Sequence, residues 1–424
     1  MIYTLIRFIY SLLFCLSLPF ITIKKLIRSR KNKGYRQRIA ERYGFTPFYI
    51  NESIWIHSVS IGESIAISPL VRKLALTFLD KTFIITTMTP TGSDQVQELY
   101  KNFNNIKHSY IPYDIACLLK RFIQRTNPKL CIIMETEIWP NLLAQCAKCN
   151  IPTILINARL SQKSATGYAK ISFIMRKMLK QINHISAQTT DDAKRFIDLG
   201  MPTNKVSVDG NIKYDFPIAD NLLKDAQILR KQFTKKHIWI AASTHQGEDK
   251  IILDAHRHLL QTIPSALLIL VPRHPERFNQ VAELIKKNNL SYSRRSSNQY
   301  DIDNQVYFGD TMGEMMLLYA TSDIAFVGGS IINNGGHNIL EPAALAKPIL
   351  SGPSVFNFAQ VAQKLQAKHA LTLVNNSTGL SAHLQMLFNN PQIAKTQGDA
   401  ALMVFKQNKG ALDKQCSIIE GFLC

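Results

Sequence analysis

Several short stretches gather acids, hydroxyls, glycines or cations at spacings suited to sugar and phosphate chemistry. Val59-Ser60-Ile61-Gly62-Glu63-Ser64 sets one carboxylate among small and hydroxyl residues. A loop of that kind ahead of a helix faces a phosphate or another polar substrate. Glu63 there fits two roles: a favourable partner for the positive start of a helix, or a base. Met134-Glu135-Thr136-Glu137 puts two carboxylates directly behind an apolar run. Burying them is costly unless they face a polar site, and a helix start accounts for one more easily than for both. Shielded carboxylates titrate high and can take protons, which makes Glu63 and Glu135 the pair for base chemistry. The run from Thr86 to Ser93 adds five hydroxyls and a glycine, and Asn157-Ala158-Arg159 adds a cation.

Further along, the chemistry changes. Asp209-Gly210-Asn211-Ile212-Lys213-Tyr214-Asp215, Ser243-Thr244-His245-Gln246-Gly247-Glu248 and Pro272-Arg273-His274-Pro275-Glu276-Arg277 bring cations and small residues. Gly309 to Glu314, Gly328-Gly329-Ser330 and Gly335-Gly336-His337-Asn338-Ile339-Leu340-Glu341 follow. Cations and backbone amides are what a nucleotide phosphate needs. Gly335-Gly336 would free amides at a helix start, and Glu341 can take a ribose diol. Singly each signal is weak; their concentration is the argument. No P-loop, dinucleotide fingerprint or nucleophile elbow occurs. Cys146 and Cys149 form a C-x-x-C without a second pair, so they read as two small helix residues. Seven scattered cysteines suit a reducing compartment. What remains is transfer from a sugar nucleotide without a metal.

Such residues need strand ends to hold them. Apolar runs at 54–58, 83–87, 131–134, 153–157 and 184–187 alternate with amphipathic stretches such as 66–78 and 116–124. The pattern restarts at 238–242, 266–271, 306–308, 324–327 and 348–350. Alternating strand and helix predicts α/β architecture with doubly wound parallel sheets, buried on both faces. The polar stretch 211–235, with Pro217 near a hinge, separates the two sets. The expected organisation is an anchor at 1–23, a first Rossmann-like domain at 24–214 and a second at 215–424.

With 424 residues, 46% of them hydrophobic, two or three domains are expected. Fifty Lys and Arg against 30 acids give +20, which calls for an anionic partner. Nine of those cations lie between positions 24 and 42: Lys24, Lys25, Arg28, Arg30, Lys31, Lys33, Arg36, Arg38 and Arg42, with the single acid Glu41. They follow an apolar segment, 1–23, interrupted by Arg7 and Pro19. That order is the reverse of a cleaved signal peptide. The segment either spans a bilayer once or lies in its interface, and the basic flank places the rest of the chain in the cytoplasm. The plainer alternative is a buried first helix.

The runs HSVSIGES, TTMTPTGS, METEIWPN, NARLS, GNIKYD, STHQGE, VPRHPERF, GDTMGEM, FVGGS and GGHNILEPAA occur in this order. Together they resemble the 3-deoxy-D-manno-octulosonic acid (Kdo) transferases of Gram-negative bacteria over nearly the whole chain. The resemblance implies a GT-B fold, two Rossmann-like domains with the active site in the cleft between them, plus an N-terminal membrane-associated helix. It implies transfer of Kdo from CMP-Kdo to lipid IVA with inversion, at the cytoplasmic side of the inner membrane. Glu63 then matches the general base, and Glu135 and Lys213 match groups stabilising the transition state. Pro272, Arg273, Met312, Gly313, Glu314, Asn338, Ile339, Leu340 and Glu341 match the CMP-binding segments. No metal and no cofactor beyond the donor is expected. The basic run would meet lipid IVA phosphates and anionic lipid, and nucleic acid is not an expected partner. Two alternatives stand beside this: another GT-B protein acting on a sugar nucleotide, or a membrane-tethered basic nucleic-acid binder. The second predicts aromatics interleaved with the cations, and the basic run holds only Tyr35.

Overall fold

The computed structural model describes residues 2–30, 33–234, 237–297 and 304–423. Lys31 of the basic run, Lys235 at the end of the polar stretch and Cys424 lie outside them. The chain divides into two compact units: Met1–Phe216 with Lys409–Cys424, and Pro217–Asn408.

The first unit holds a seven-stranded parallel sheet of β1 (Ser53–His57), β2 (Thr82–Thr87), β3 (Ile106–Tyr110), β4 (Pro128–Met134), β5 (Thr153–Ala158), β6 (His184–Ala187) and β7 (Val206–Val208). Their order is β3-β2-β1-β4-β5-β6-β7. Strands β1 and β5 are buried along their whole length, as Ile, Leu and Trp side chains on both faces require. Trp55 of β1 packs on Phe122 with ring centres 4.9 Å apart.

The second unit repeats the design with β8 (His237–Thr244), β9 (Ala266–Pro272), β10 (Tyr292–Arg294), β11 (Val306–Phe308), β12 (Ile324–Val327), β13 (Ile349–Ser351) and β14 (Leu371–Leu373). All pairings are parallel, in the order β10-β11-β9-β8-β12-β13-β14. In each sheet the first strand sits between neighbours to which the chain departs in opposite directions. The loops after β1 and β4, and those after β8 and β12, therefore diverge at the carboxyl edge, where such sheets bind ligands.

Five helices of the first unit matter below: α1 (Ile2–Arg28), α2 (Ile61–Thr77), α3 (Pro90–Leu99), α4 (Ala116–Thr126) and α5 (Pro140–Lys148). Helix α1 is long and apolar enough to cross a membrane, yet none of its residues is fully buried.

One expected boundary needs correcting. The second region does not run to residue 424. The helix Ala411–Leu423 returns to the first unit, where Cys416 and Ile419 join the core beneath β1. Asp215 fixes the return: its two carboxylate oxygens accept from the Gly410 and Leu412 amides, each at 2.8 Å. Cys146 is buried in the core and Cys149 is exposed, as two helix-end residues would be.

Candidate active site

In the first unit the acids lie on the two sides of the switch point. Glu63 follows β1 in the first turn of α2. The Ser60 hydroxyl oxygen accepts from the Glu63 amide at 3.2 Å, and its proton goes to the Glu63 carboxylate at 2.8 Å. The other carboxylate oxygen accepts from the Val59 amide at 2.9 Å. This is close to a capping box, with the carboxylate reaching one residue past the Ser60 cap to Val59, so the helix-start role is real. It does not exhaust the residue. Burial raises the Glu63 carboxyl above the ordinary glutamate value; the two hydrogen bonds work against this, and the charges of Glu135 and Glu137 add to it. Among the described residues Glu63 has no ion pair, which leaves it able to gain and lose a proton.

Glu135 follows β4 and is buried. Its backbone sits at φ 58°, a left-handed conformation costly for a side chain with a Cβ. The conformation turns the carboxylate toward two cations: Arg159 Nε donates at 2.8 Å to one oxygen, and Lys213 Nζ approaches the other at 3.3 Å. Lys213 is brought there by the short turn Ile212–Tyr214 after β7, anchored where Asn157 Oδ1 accepts from the Ile212 amide at 3.0 Å. The base-chemistry pair thus divides. Glu135 is neutralised by its cations and sets their positions; Glu63 is the free carboxylate. Glu137 accepts from Trp139 Nε1 at 2.8 Å, and burial raises its carboxyl too.

In the second unit the expected nucleotide residues fall at the carboxyl ends of neighbouring strands β11, β9, β8 and β12. Arg273 follows β9; its amide donates to Thr244 O at 3.0 Å, and its exposed side chain has no ion pair among the described residues. Arg277, four residues on, is different: it is tied to Asp249 and to Thr244 O, and so holds the loop. Glu341 is half-buried, and desolvation raises its carboxyl, while Asn338 Nδ2 donates to it at 3.1 Å and the Arg273 charge lowers it. Arg273, Asn338 and Glu341 therefore share one neighbourhood. Pro272, Ile339 and Leu340 are buried beneath it. Met312 is exposed, and Gly313 takes φ 86°, a conformation that favours glycine. Glu314 is clamped by Arg295, which holds its carboxyl below the usual range, and by the Thr311 hydroxyl.

The glycine amides are committed elsewhere, which corrects the expectation that they are free for a phosphate. The Glu248 carboxylate accepts from the amides of Gly329 (2.6 Å), Ser330 (2.8 Å), Ile331 (2.9 Å) and His245 (3.0 Å). The Gly335 amide goes to the Ser354 hydroxyl at 2.9 Å and the Gly336 amide to Gly329 O at 2.7 Å. These amides are therefore not free for a ligand.

Two further features escaped the sequence reading. Arg295 lies outside every motif, 19 residues before the acid it clamps. His245 and His337 stack at 4.9 Å with Nε2 atoms 2.7 Å apart, and the ring of His274 packs edge-on to His245. Burial keeps both stacked rings below the ordinary histidine value, His337 at about 4.

Two Rossmann-like units, each a parallel sheet with polar side chains gathered at its carboxyl edge, are the architecture of the GT-B class. Solved structures of that architecture align: UDP-GlcNAc 2-epimerase from Neisseria meningitidis, bound to UDP-GlcNAc, gives a TM-score of 0.55 at 15% identity over 88% of this chain and 99% of its own. The family described as 3-deoxy-D-manno-octulosonic-acid transferase (kdotransferase) matches residues 37–216. A 3-deoxy-D-manno-octulosonic acid transferase from Haemophilus influenzae is 44% identical over 426 residues, 98% of this chain and 99% of its own. One from Bordetella pertussis is 31% identical over 98% of this chain and 99% of its own. The chain belongs to the Kdo transferases.

Proposed function

We propose that this transferase moves Kdo from CMP-Kdo to the lipid A precursor lipid IVA, with inversion, at the cytoplasmic face of the inner membrane. The observation that carries the reading is Glu63: an acid with a raised carboxyl, held by Val59 and Ser60 and free of any cation among the described residues. It takes the proton of an acceptor sugar hydroxyl as the new bond forms. Lys213 and Arg159, set in place by Glu135, supply positive charge where negative charge develops. Arg273 meets the departing CMP phosphate, and Glu341 with Asn338 takes a polar edge of the nucleoside. Pro272, Met312, Gly313, Glu314, Ile339 and Leu340 shape the rest of that pocket. The phosphate leaving group is stabilised by side-chain cations, so the reading assigns no metal.

The test is a transfer assay with lipid IVA and CMP-Kdo generated in place, products resolved by mass. One added Kdo unit supports the proposal, and a rate unchanged by chelator supports its metal-free form. Folded protein giving no added mass beside a competent control enzyme overturns it.

A further inference from the structure

We propose that α1 is not a membrane span but an in-plane helix, docked lengthwise on the first unit, whose opposite face lies in an anionic lipid leaflet. The half-buried positions of α1 are 3, 6, 7, 10, 11, 14, 17, 18, 21, 22 and 25, one helical stripe that faces protein along the entire segment. Tyr3 packs on the core of the unit at one end. Phe14, Leu18 and Ile21 pack on Tyr113, Ile115 and Leu118 in the middle. Lys25 Nζ donates to the Tyr113 hydroxyl at 2.9 Å at the other end. From residue 3 to 25 the docked length is about 33 Å, as long as a bilayer core is thick.

A polar latch makes a span costly. Arg7 Nε donates to Asn141 Oδ1 at 3.1 Å, and Asn141 Nδ2 donates to the Ser11 hydroxyl at 2.9 Å and to Asp114 O at 2.7 Å. The buried Asp114 carboxylate accepts from the Asn141 and Leu142 amides at the start of α5. Were α1 to cross the bilayer as docked, this network and the start of α5 would enter hydrocarbon. Were it to undock, Arg7 would lose Asn141, and the buried Asn141 side chain would lose Arg7 and Ser11 and keep only Asp114 O.

The other face shows what covers it. Leu5, Phe8, Ile9, Leu12, Leu13, Leu16, Phe20, Ile23, Leu26 and Ile27 are all exposed. An apolar face of this length with a basic end is the form of a helix resting about 5–10 Å into a leaflet. Charge fits an anionic one. Lys24, Arg28, Arg30 and Arg36 are exposed and have no ion pair among the described residues, and no acid precedes Glu41.

Sealed inside-out membrane vesicles carrying the full chain, with a protease-cleavable tag ahead of Met1, test the geometry. The in-plane helix leaves the tag on the same side as the body, and protease removes it without detergent. A tag protected until detergent is added overturns the proposal. In the same vesicles Ser11→Cys with Asn141→Cys should form a disulfide on mild oxidation; a tag that is cleaved without that cross-link also overturns the docked form. The inference rests on membrane association, which flotation reads separately. The chain should float with phosphatidylglycerol vesicles and lose at least half its binding on phosphatidylcholine alone or with Leu13→Glu. Equal binding in all three cases counts against the lipid-facing surface, while the transferase reading stands or falls by its own assay.

Discussion

Lys213 Nζ lies 3.3 Å from the Glu135 carboxylate across 78 residues of sequence, and Glu135 holds a left-handed backbone to make the pairing. Such backbone strain costs of order 1–3 kcal/mol, and it persists only where the surroundings fix it. Here the fixing comes from Arg159 and Lys213. The arrangement places two cations rather than providing a second base. Glu135→Gln should lower kcat about 10²-fold while leaving donor affinity near that of the wild type. Lys213→Ala should do likewise, and the double variant should lose less than the product of the two. Additive losses in that cycle would show that the pair does not act as a unit.

Glu63 should set the acid limb of the pH profile. It must be ionised to accept a proton, and burial raises its carboxyl. The rate kcat/KM should therefore fall as pH drops through a value above that of an ordinary glutamate. Glu63→Gln should remove the limb and lower kcat roughly 10²- to 10⁴-fold, with CMP affinity unchanged. A Gln variant that keeps both rate and limb would take the base role from Glu63.

Arg273 and Arg277 stand four residues apart and should behave differently. Arg273 is exposed without an ion pair among the described residues, so Arg273→Ala should weaken CMP binding by about 1.5–3 kcal/mol, roughly 10- to 150-fold, at unchanged melting temperature. Arg277 is committed to Asp249 and Thr244, so Arg277→Ala should lower the melting temperature first. Calorimetric titration with CMP beside thermal unfolding separates the two. An Arg273 variant with full CMP affinity would remove it from the nucleotide site.

The fold was legible where strands are buried on both faces. Ile, Val and Trp runs such as 54–58 and 266–271 identify the central strands of both sheets. The strands missed are β3, β7, β10 and β14, the four sheet edges. Their sequences, such as Ile-Lys-His-Ser-Tyr in β3 and Tyr-Ser-Arg in β10, lack a continuous apolar signal because one side needs no cover. The unit boundary came within two residues of its place, since Pro217 marks it. The return of the C-terminal helix did not show, because it depends on Asp215 receiving amides about 200 residues away in sequence, a contact no local pattern carries. The strand-end acids were legible for the same reason as the central strands. The partners of Glu135 and the clamp of Glu314 by Arg295 were not, being side-chain pairings set by the packed fold.

The Glu248 carboxylate offers the sharpest test of how the second unit is built. A glycine pair followed by serine at a strand end reads as a phosphate cradle, and the amides are indeed aimed at an anion. That anion is internal: four backbone donors converge on Glu248, which is fully buried. Replacing it with Ala removes the acceptor and leaves those four amides unsatisfied at about 1–3 kcal/mol apiece by ordinary mutational experience, so a total of roughly 4 kcal/mol or more is expected. Glu248→Gln keeps the shape but offers one acceptor oxygen and adds two donors, and should fall between Ala and wild type. Thermal unfolding of the apoprotein reads this directly. Added phosphate should raise the melting temperature of the Ala variant by more than that of the wild type, because only in the variant do the vacated amides have an anion to bind. A Glu248→Ala protein as stable as the wild type would show that the strand-end loop after β12 holds its form without the internal carboxylate.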